Sequence, residues 1–181
     1  MTLEVLVIAA LRIAGSLPVL RWAFAGAIIA ILVDLSDLFA MNLLHLGGFP
    51  DYQEKDKWLD QVYLATFLIV ALRWRGPVRA IAIALYLFRL AGFAAFEVTD
   101  DRRVLAWFPN VFEFWFVAVA AALHWRPAWV EAPTRRGLAL ALGVLTAAKV
   151  AHEYVLHIAQ ALDGFTAVEA VQAIWRWIVP G

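Results

Sequence analysis

The sequence contains no cysteine, and this absence excludes disulfide bonds, thiolate metal sites and cysteine nucleophiles. Charged side chains are also scarce, at 17% of 181 residues, whereas a typical soluble domain has about 25%. Lys and Arg together number 15, and Asp and Glu also number 15, so no net charge attracts nucleic acid. The chain begins with the acidic stretch MTLE, which lacks the basic region of a secretory signal peptide.

Apolar residues are what the sequence has in excess. They make up 64% of the chain, against about 45–50% in a soluble domain, and the mean hydropathy is +0.77. A membrane-spanning helix needs about 20 mostly apolar residues. Five segments meet this requirement, and none alternates with the period of a barrel strand: 22–46, 56–73, 77–96, 104–125 and 138–162. The sequence therefore predicts an all-α, polytopic transmembrane bundle that forms a single domain over residues 1–181.

Two shorter apolar segments flank these five. Residues 3–14 end at a Gly-Ser-Leu-Pro stretch, and residues 165–178 begin with a capping-box pattern. Both are too short to cross a bilayer unaided, so we expect them to be interfacial helices at the two termini. The alternative for residues 3–14 is that they add a sixth crossing or extend the next helix.

The arginines indicate how the bundle is oriented. With five spans, one face collects most of the basic residues that lie near short loops, and the positive-inside rule places that face in the cytoplasm. This set is Arg12, Arg21, Arg73, Arg75, Arg79, Arg126, Arg135 and Arg136. The basic residues of the opposite face are diluted by acidic ones, which favours the same orientation.

Ionisable side chains inside spans are costly and usually mark function. Each predicted span carries ionisable or other polar groups, and the rise of 1.5 Å per residue indicates that every span brings such groups to the half of the membrane opposite the arginine-rich loops. They are Asp34, Asp37, Asp60, Tyr63, Arg89, Asn110, Glu113, Lys149, Glu153 and His157. Pro109 interrupts its helix directly before two of them and frees backbone groups there. The sequence therefore predicts one shared polar cavity.

The charges of this cavity do not balance. Five acids face two bases, and buried unpaired carboxylates require either a bound cation or added protons. A divalent cation (Mg²⁺, Mn²⁺ or Ca²⁺) held by Asp34, Asp37 and Asp60 would neutralise them. A proton shared between two carboxylates would also do so. The histidines do not form opposed pairs at matching depth, so we expect no haem.

Three functions fit these residues. The first is a metal-dependent enzyme acting on a lipid or lipid-linked head group, with Glu153 or His157 as the general base. In it, Arg89 and Lys149 would clamp an anionic group, and Tyr63, Asn110 and Glu113 would complete the substrate site. The second is a proton- or cation-coupled transporter, which at this size needs a homodimer or a membrane partner. The third is a non-catalytic subunit or scaffold whose charge network only orders the bundle.

The acids of the first two spans resemble a metal-binding motif. Asp34-x-x-Asp37 followed by Asp56-x-x-x-Asp60 is similar to the motif of the CDP-alcohol phosphotransferases, whose acids hold divalent metals for head-group transfer. The chain departs from that motif at Leu38, where the family has Gly, and at Met41-Asn42, where it has Ala-Arg.

A broader resemblance covers most of the chain. It rests on four strings: Tyr52-Gln53 with Asp56-Lys57-x-Leu59-Asp60, Phe88-Arg89-Leu90-x-Gly92, Phe108-Pro109-Asn110-x-Phe112-Glu113, and Lys149-x-x-x-Glu153-Tyr154-x-x-His157. Together these look like an uncharacterised family of small bacterial integral membrane proteins. The resemblance implies a multi-pass protein of the bacterial inner membrane and implies no activity.

Overall fold

The computed structural model describes residues 3–43, 52–101, 103–154 and 175, and every regular element among them is a helix. The prediction of an all-α fold is confirmed for this part of the chain. The helices are α1 (Leu3–Ser16), α2 (Ala23–Leu43), α3 (Tyr52–Ala71), α4 (Gly76–Thr99), α5 (Arg103–Trp107), α6 (Val111–Trp125), α7 (Pro127–Glu131) and α8 (Arg135–Glu153). His157, the side chain of Asp37 and nearly all of the predicted tail helix 165–178 lie outside the described residues.

The N-terminal segment packs along α2, where we expected an interfacial helix. A 3₁₀ turn, Leu17–Leu20, extends α1, and the chain then reverses into α2. An added Cβ at Gly15 would meet Val33, and one at Gly26 would meet the backbone of Val19. Because 15 pairs with 33 and 19 pairs with 26, the segment runs antiparallel to α2.

This arrangement corrects the position of Arg12. We predicted it among the loop arginines of the cytoplasmic face, but it lies within α1 and is only 5% exposed. The physical reason is the turn at Pro18, whose carbonyl accepts hydrogen bonds from the backbone N–H groups of Arg21 and Trp22. The reversal therefore takes place at residues 17–22, and Arg12 lies more than one helical turn before it.

The predicted break at Pro109 is also present. The segment 104–125 is divided into α5 and α6 because proline has no N–H to continue the helical ladder. Gly92 of α4 lies directly against this break, since a Cβ there would come within 2.3 Å of the Phe108 Cβ. The absence of a side chain at Gly92 therefore permits the close approach of α4 to the chain between α5 and α6.

Helix α3 divides the interior into two layers. Phe67 of its second half and Trp74, which follows α3 in the connection to α4, stack against Phe116 of α6 at centroid distances of 4.3 and 5.2 Å. Trp115 is fully buried beside them, and its indole N–H donates to the carbonyl of Val78 at 3.1 Å. The first half of α3 instead carries Asp60 and Tyr63. The aromatic core thus lies toward the arginine-rich end and the polar groups lie toward the other end.

Among the described residues, one helix is both long and apolar enough to cross a membrane, namely α4 over Gly76–Thr99. The other apolar helical stretches have between 10 and 17 residues and lie at 6–20, 23–36, 58–71 and 111–125. Large apolar side chains are nevertheless exposed on every long helix, including Leu11, Leu32, Ile69, Leu87, Leu123 and Val144.

Candidate functional site

The first group of charged residues, here called the Arg12 cluster, joins three helices. The Arg12 Nη2 forms an ion pair with Asp34 of α2 and another with Asp60 of α3, the latter at 2.6 Å. The side chain of Arg12 is 3% exposed, against 28% for Asp34 and 16% for Asp60. One buried guanidinium therefore neutralises part of the charge of two carboxylates.

The second group, here called the Lys149 cluster, joins α6 and α8. The Lys149 Nζ lies 3.8 Å from Glu113 Oε2 and 3.4 Å from Glu153 Oε1. The same ammonium group lies 5.0 Å from the centroid of the Phe114 ring, within range of a cation–π contact. Lys149 is 5% exposed, so this cation is held almost entirely by protein groups.

Glu113 is also held by two neutral side chains. Its Oε2 accepts hydrogen bonds from the Tyr63 hydroxyl at 3.1 Å and from the Asn110 amide at 2.9 Å. Tyr63 lies one turn after Asp60 on α3, so these two residues share a helix face and connect the two clusters. The result is a polar network that extends from α1 to α8.

Arg89 lies at the helix break. Its Nη1 donates to the carbonyl of Phe108, the residue directly before Pro109, at 2.9 Å. Two buried side-chain atoms at this break, Arg89 Nε and Asn110 Oδ1, have no hydrogen-bond partner in the described part of the chain. Because such atoms are costly to bury, the break is a place where a further polar group would be stabilised.

A small cleft reaches the Lys149 cluster from outside. It has a volume of about 90 Å³ and is lined by Ala106, Pro109, Val150, Glu153 and Tyr154. The cleft connects the helix break to the carboxylate of Glu153, whose side chain is 17% exposed. Glu153 is therefore the acid of the cluster that lines this cleft.

The structure brings together most of the predicted site residues. Tyr63, Asn110, Glu113, Lys149 and Glu153 are joined directly, whereas Asp34 and Asp60 meet through Arg12. Arg89 contacts the backbone at the break instead. The roles that we assigned to these residues, and to Asp37 and His157, stay predictions.

Arg12 changes the charge balance that suggested a metal ion. In the described part of the chain, the network has four acids (Asp34, Asp60, Glu113 and Glu153) and three bases (Arg12, Arg89 and Lys149). No group of three metal-ligating side chains occurs among the described residues. A guanidinium lies where Asp34 and Asp60 converge, so this pair fits an organic cation. The divalent metal at Asp34, Asp37 and Asp60 stays a prediction.

Sequence reasoning missed Arg12 as a member of the network, although a signal was present. The buried positions of the N-terminal segment are Ile8, Arg12, Gly15, Ser16 and Val19. Their spacing of three and four residues is that of one helix face. Two small residues on that face indicate close packing against another helix, and Arg12 lies in the middle of it.

Comparisons with known proteins add no relative to this description. No protein-family model matches the chain, and neither a curated protein nor a solved structure matches it significantly.

Proposed function

We propose that this chain is a multi-pass membrane protein that couples the binding of a proton to the movement of a small polar solute. The membrane assignment is supported by an inverted distribution of side chains. Arg12, Arg89 and Lys149 are at least nine-tenths buried, whereas Leu140 and Val144 are more than half exposed. A soluble protein places charged side chains outside and large apolar side chains inside. A protein surrounded by lipid instead exposes large apolar side chains on its outer surface.

The lengths of the helical segments support several crossings. Helices α2 and α3 have 21 and 20 residues, and α1 with its 3₁₀ turn covers residues 3–20. Each such length corresponds to roughly 30 Å, the thickness of a bilayer core. The pair α5 and α6 together covers residues 103–125 as a broken helix. We propose six crossings, with the N-terminal segment as the first.

The observation that carries the proton proposal is the Lys149 cluster. Two carboxylates, Glu113 and Glu153, lie against one buried ammonium group. We take this pair of acids as the place where the transported proton binds, because protonation would lower the cost of burying two carboxylates side by side. The adjoining helix break and the cleft at Glu153 support a transport role, because discontinuous helices line the binding sites of many transporters.

The same geometry supports the carrier over a metal-dependent lipid enzyme. Arg12 already forms ion pairs with Asp34 and Asp60, and Arg89 donates to a backbone carbonyl rather than pointing freely toward a substrate. The scaffold hypothesis predicts the same ion pairs but no movement of protons. A measurement of proton movement therefore separates the two.

The purified protein is reconstituted into proteoliposomes, and a pH gradient is imposed. We expect it to move protons when the solute that it transports is among those added. The solutes are small carboxylates, phosphates, amines, amino acids and sugars, and a pH-sensitive dye reports the movement. Glu113→Gln removes the proton-binding charge and should reduce the signal at least tenfold. Glu97→Gln, an exposed acid of α4, is the matched control. Wild-type proton movement in Glu113→Gln would contradict the proposal, and silence with every solute would favour the scaffold.

The orientation gives a second expected result. Because the chain has no cysteine, a single introduced cysteine reports one position without background. Ala132 follows α7 at the arginine-rich end and Asp101 follows α4 at the other end, and both are exposed. In intact cells, an impermeant maleimide should label Asp101→Cys and spare Ala132→Cys. Labelling of both, or the reverse pattern, would contradict the proposed orientation.

A further inference from the structure

A second cleft lies far from the polar network, at the arginine-rich end of the bundle. It has a volume of about 290 Å³ between α6, α7 and α8. Small or apolar side chains form most of its wall, and one arginine and two tryptophans also line it; the lining includes Ala118, Ala122, Ala141, Arg126, Trp115 and Trp129. The cleft is therefore an apolar slot with a cationic group at one position.

The charges around the cleft favour an anionic occupant. Arg126 is exposed, and no hydrogen bond or ion pair joins its side chain to any other residue that the structure describes. Arg135 and Arg136 are exposed at the start of α8, and Glu131 is the acid between them and Arg126. Three arginines against one glutamate leave a local excess of positive charge within eleven residues of sequence.

We propose that this cleft binds an anionic phospholipid, with the acyl chain along the alanines of α6 and α8 and the phosphate on Arg126. Basic pockets between membrane helices on the cytoplasmic side recognise anionic head groups in this way. The guanidinium fork suits the oxygens of a phosphate, and the partly buried Trp129 is of the type that lies at the membrane interface. The inference requires the membrane insertion proposed above but not the proton coupling.

Charge complementarity distinguishes this occupant from others. A zwitterionic lipid would bring its own cation toward three arginines, which repel it. A second copy of the chain would bring an equal set of arginines to the same surface. An apolar segment of the same chain would leave Arg126 without a counter-ion. Only a ligand with both an acyl chain and a negative charge satisfies both parts of the cleft.

The test measures lipid binding to the full-length protein in detergent micelles by native mass spectrometry. We expect dioleoyl phosphatidylglycerol to bind more tightly than dioleoyl phosphatidylcholine. Arg126→Gln should weaken phosphatidylglycerol binding about fivefold, the effect of one basic side chain near an anionic surface. Arg79→Gln, which removes an exposed arginine of α4 outside the cleft, should leave binding unchanged. Equal binding of the two lipids by the wild type would overturn the proposal.

The position of the acyl chain is tested by filling the cleft. Ala141→Phe places a large ring in the slot and should abolish most phosphatidylglycerol binding, whereas Ala139→Phe lies on the exposed side of α8 and should not. Undiminished binding by Ala141→Phe would overturn the assigned cleft. If Ala141→Phe does not fold, Arg126→Gln still decides the result. Failure of the proposed membrane insertion is distinguishable from failure of lipid binding, because it appears as loss of the wild-type protein from the membrane fraction.

Discussion

Arg12→Met should lower the free energy of unfolding by about 3 kcal/mol, the lower part of the range for removing one partner of a buried ion pair. The change leaves Asp34 and Asp60 without the guanidinium that forms ion pairs with both of them. The methionine preserves most of the apolar volume of the arginine stem, so the loss reports the charge. Titration of sodium dodecyl sulfate into mixed micelles measures the free energy, with helical circular dichroism as the signal.

Two further variants make this result specific. Arg21→Met removes an exposed arginine nine residues away and should change the free energy of unfolding by less than about 0.5 kcal/mol. The triple variant Arg12→Met, Asp34→Asn, Asp60→Asn removes all three charges and should recover most of the loss, because neutral groups need no counter-ion. If Arg12→Met is as stable as the wild type, Arg12 does not hold the cluster together.

Thermal unfolding of the wild-type protein decides the metal prediction. If a divalent cation binds at Asp34, Asp37 and Asp60, a chelator should lower the melting temperature of the wild type, and Mg²⁺, Mn²⁺ or Ca²⁺ should restore it. If Arg12 is the counter-ion of these acids, the wild type should be indifferent to chelator and to all three ions.

Much of the polar network could be predicted from the sequence. The rise per residue places Glu113 and Lys149 at a similar depth in the predicted membrane, although their spans enter it from opposite faces. Carboxylates and an amine at membrane depth require partners, so one shared polar region follows from apolar length and charge. The sequence assigned Lys149 to an anionic substrate group, and its ion pairs with Glu113 and Glu153 are seen only in the structure. The helix break at Pro109 follows from the missing N–H group.

The position of Arg12 could not be predicted in the same way. A mostly apolar segment of twelve residues before a Gly-Ser-Leu-Pro stretch is equally compatible with an interfacial helix and with a helix that packs into the bundle. What decides between them is the tertiary contact of Gly15 and Gly26 with the neighbouring segment. The role of Arg89 was similarly hidden, because its partner is a backbone carbonyl and the sequence shows no preference for one.

That tertiary contact gives the second large expected effect. Gly26→Ala adds a Cβ only 2.3 Å from the Val19 backbone nitrogen and 2.5 Å from the carbonyl carbon of Pro18. Backbone atoms cannot rotate away, so the 3₁₀ turn must move as a whole, and we expect a loss of about 2 kcal/mol in the free energy of unfolding. The helix preference of alanine over glycine, about 1 kcal/mol, works in the opposite direction.

Gly143→Ala is the matched control, because a Cβ at that helical position meets nothing within 4 Å. It should keep the gain in helix preference and leave the protein as stable as the wild type or more so. The turn also positions α1, so a shift of Leu17–Leu20 should draw Arg12 away from Asp34 and Asp60. In the Gly26→Ala background, Arg12→Met should therefore cost less than it does alone, and a double-mutant cycle measures the difference. If Gly26→Ala and Gly143→Ala are equally stable and the cost of Arg12→Met is unchanged, the antiparallel packing does not position this charge.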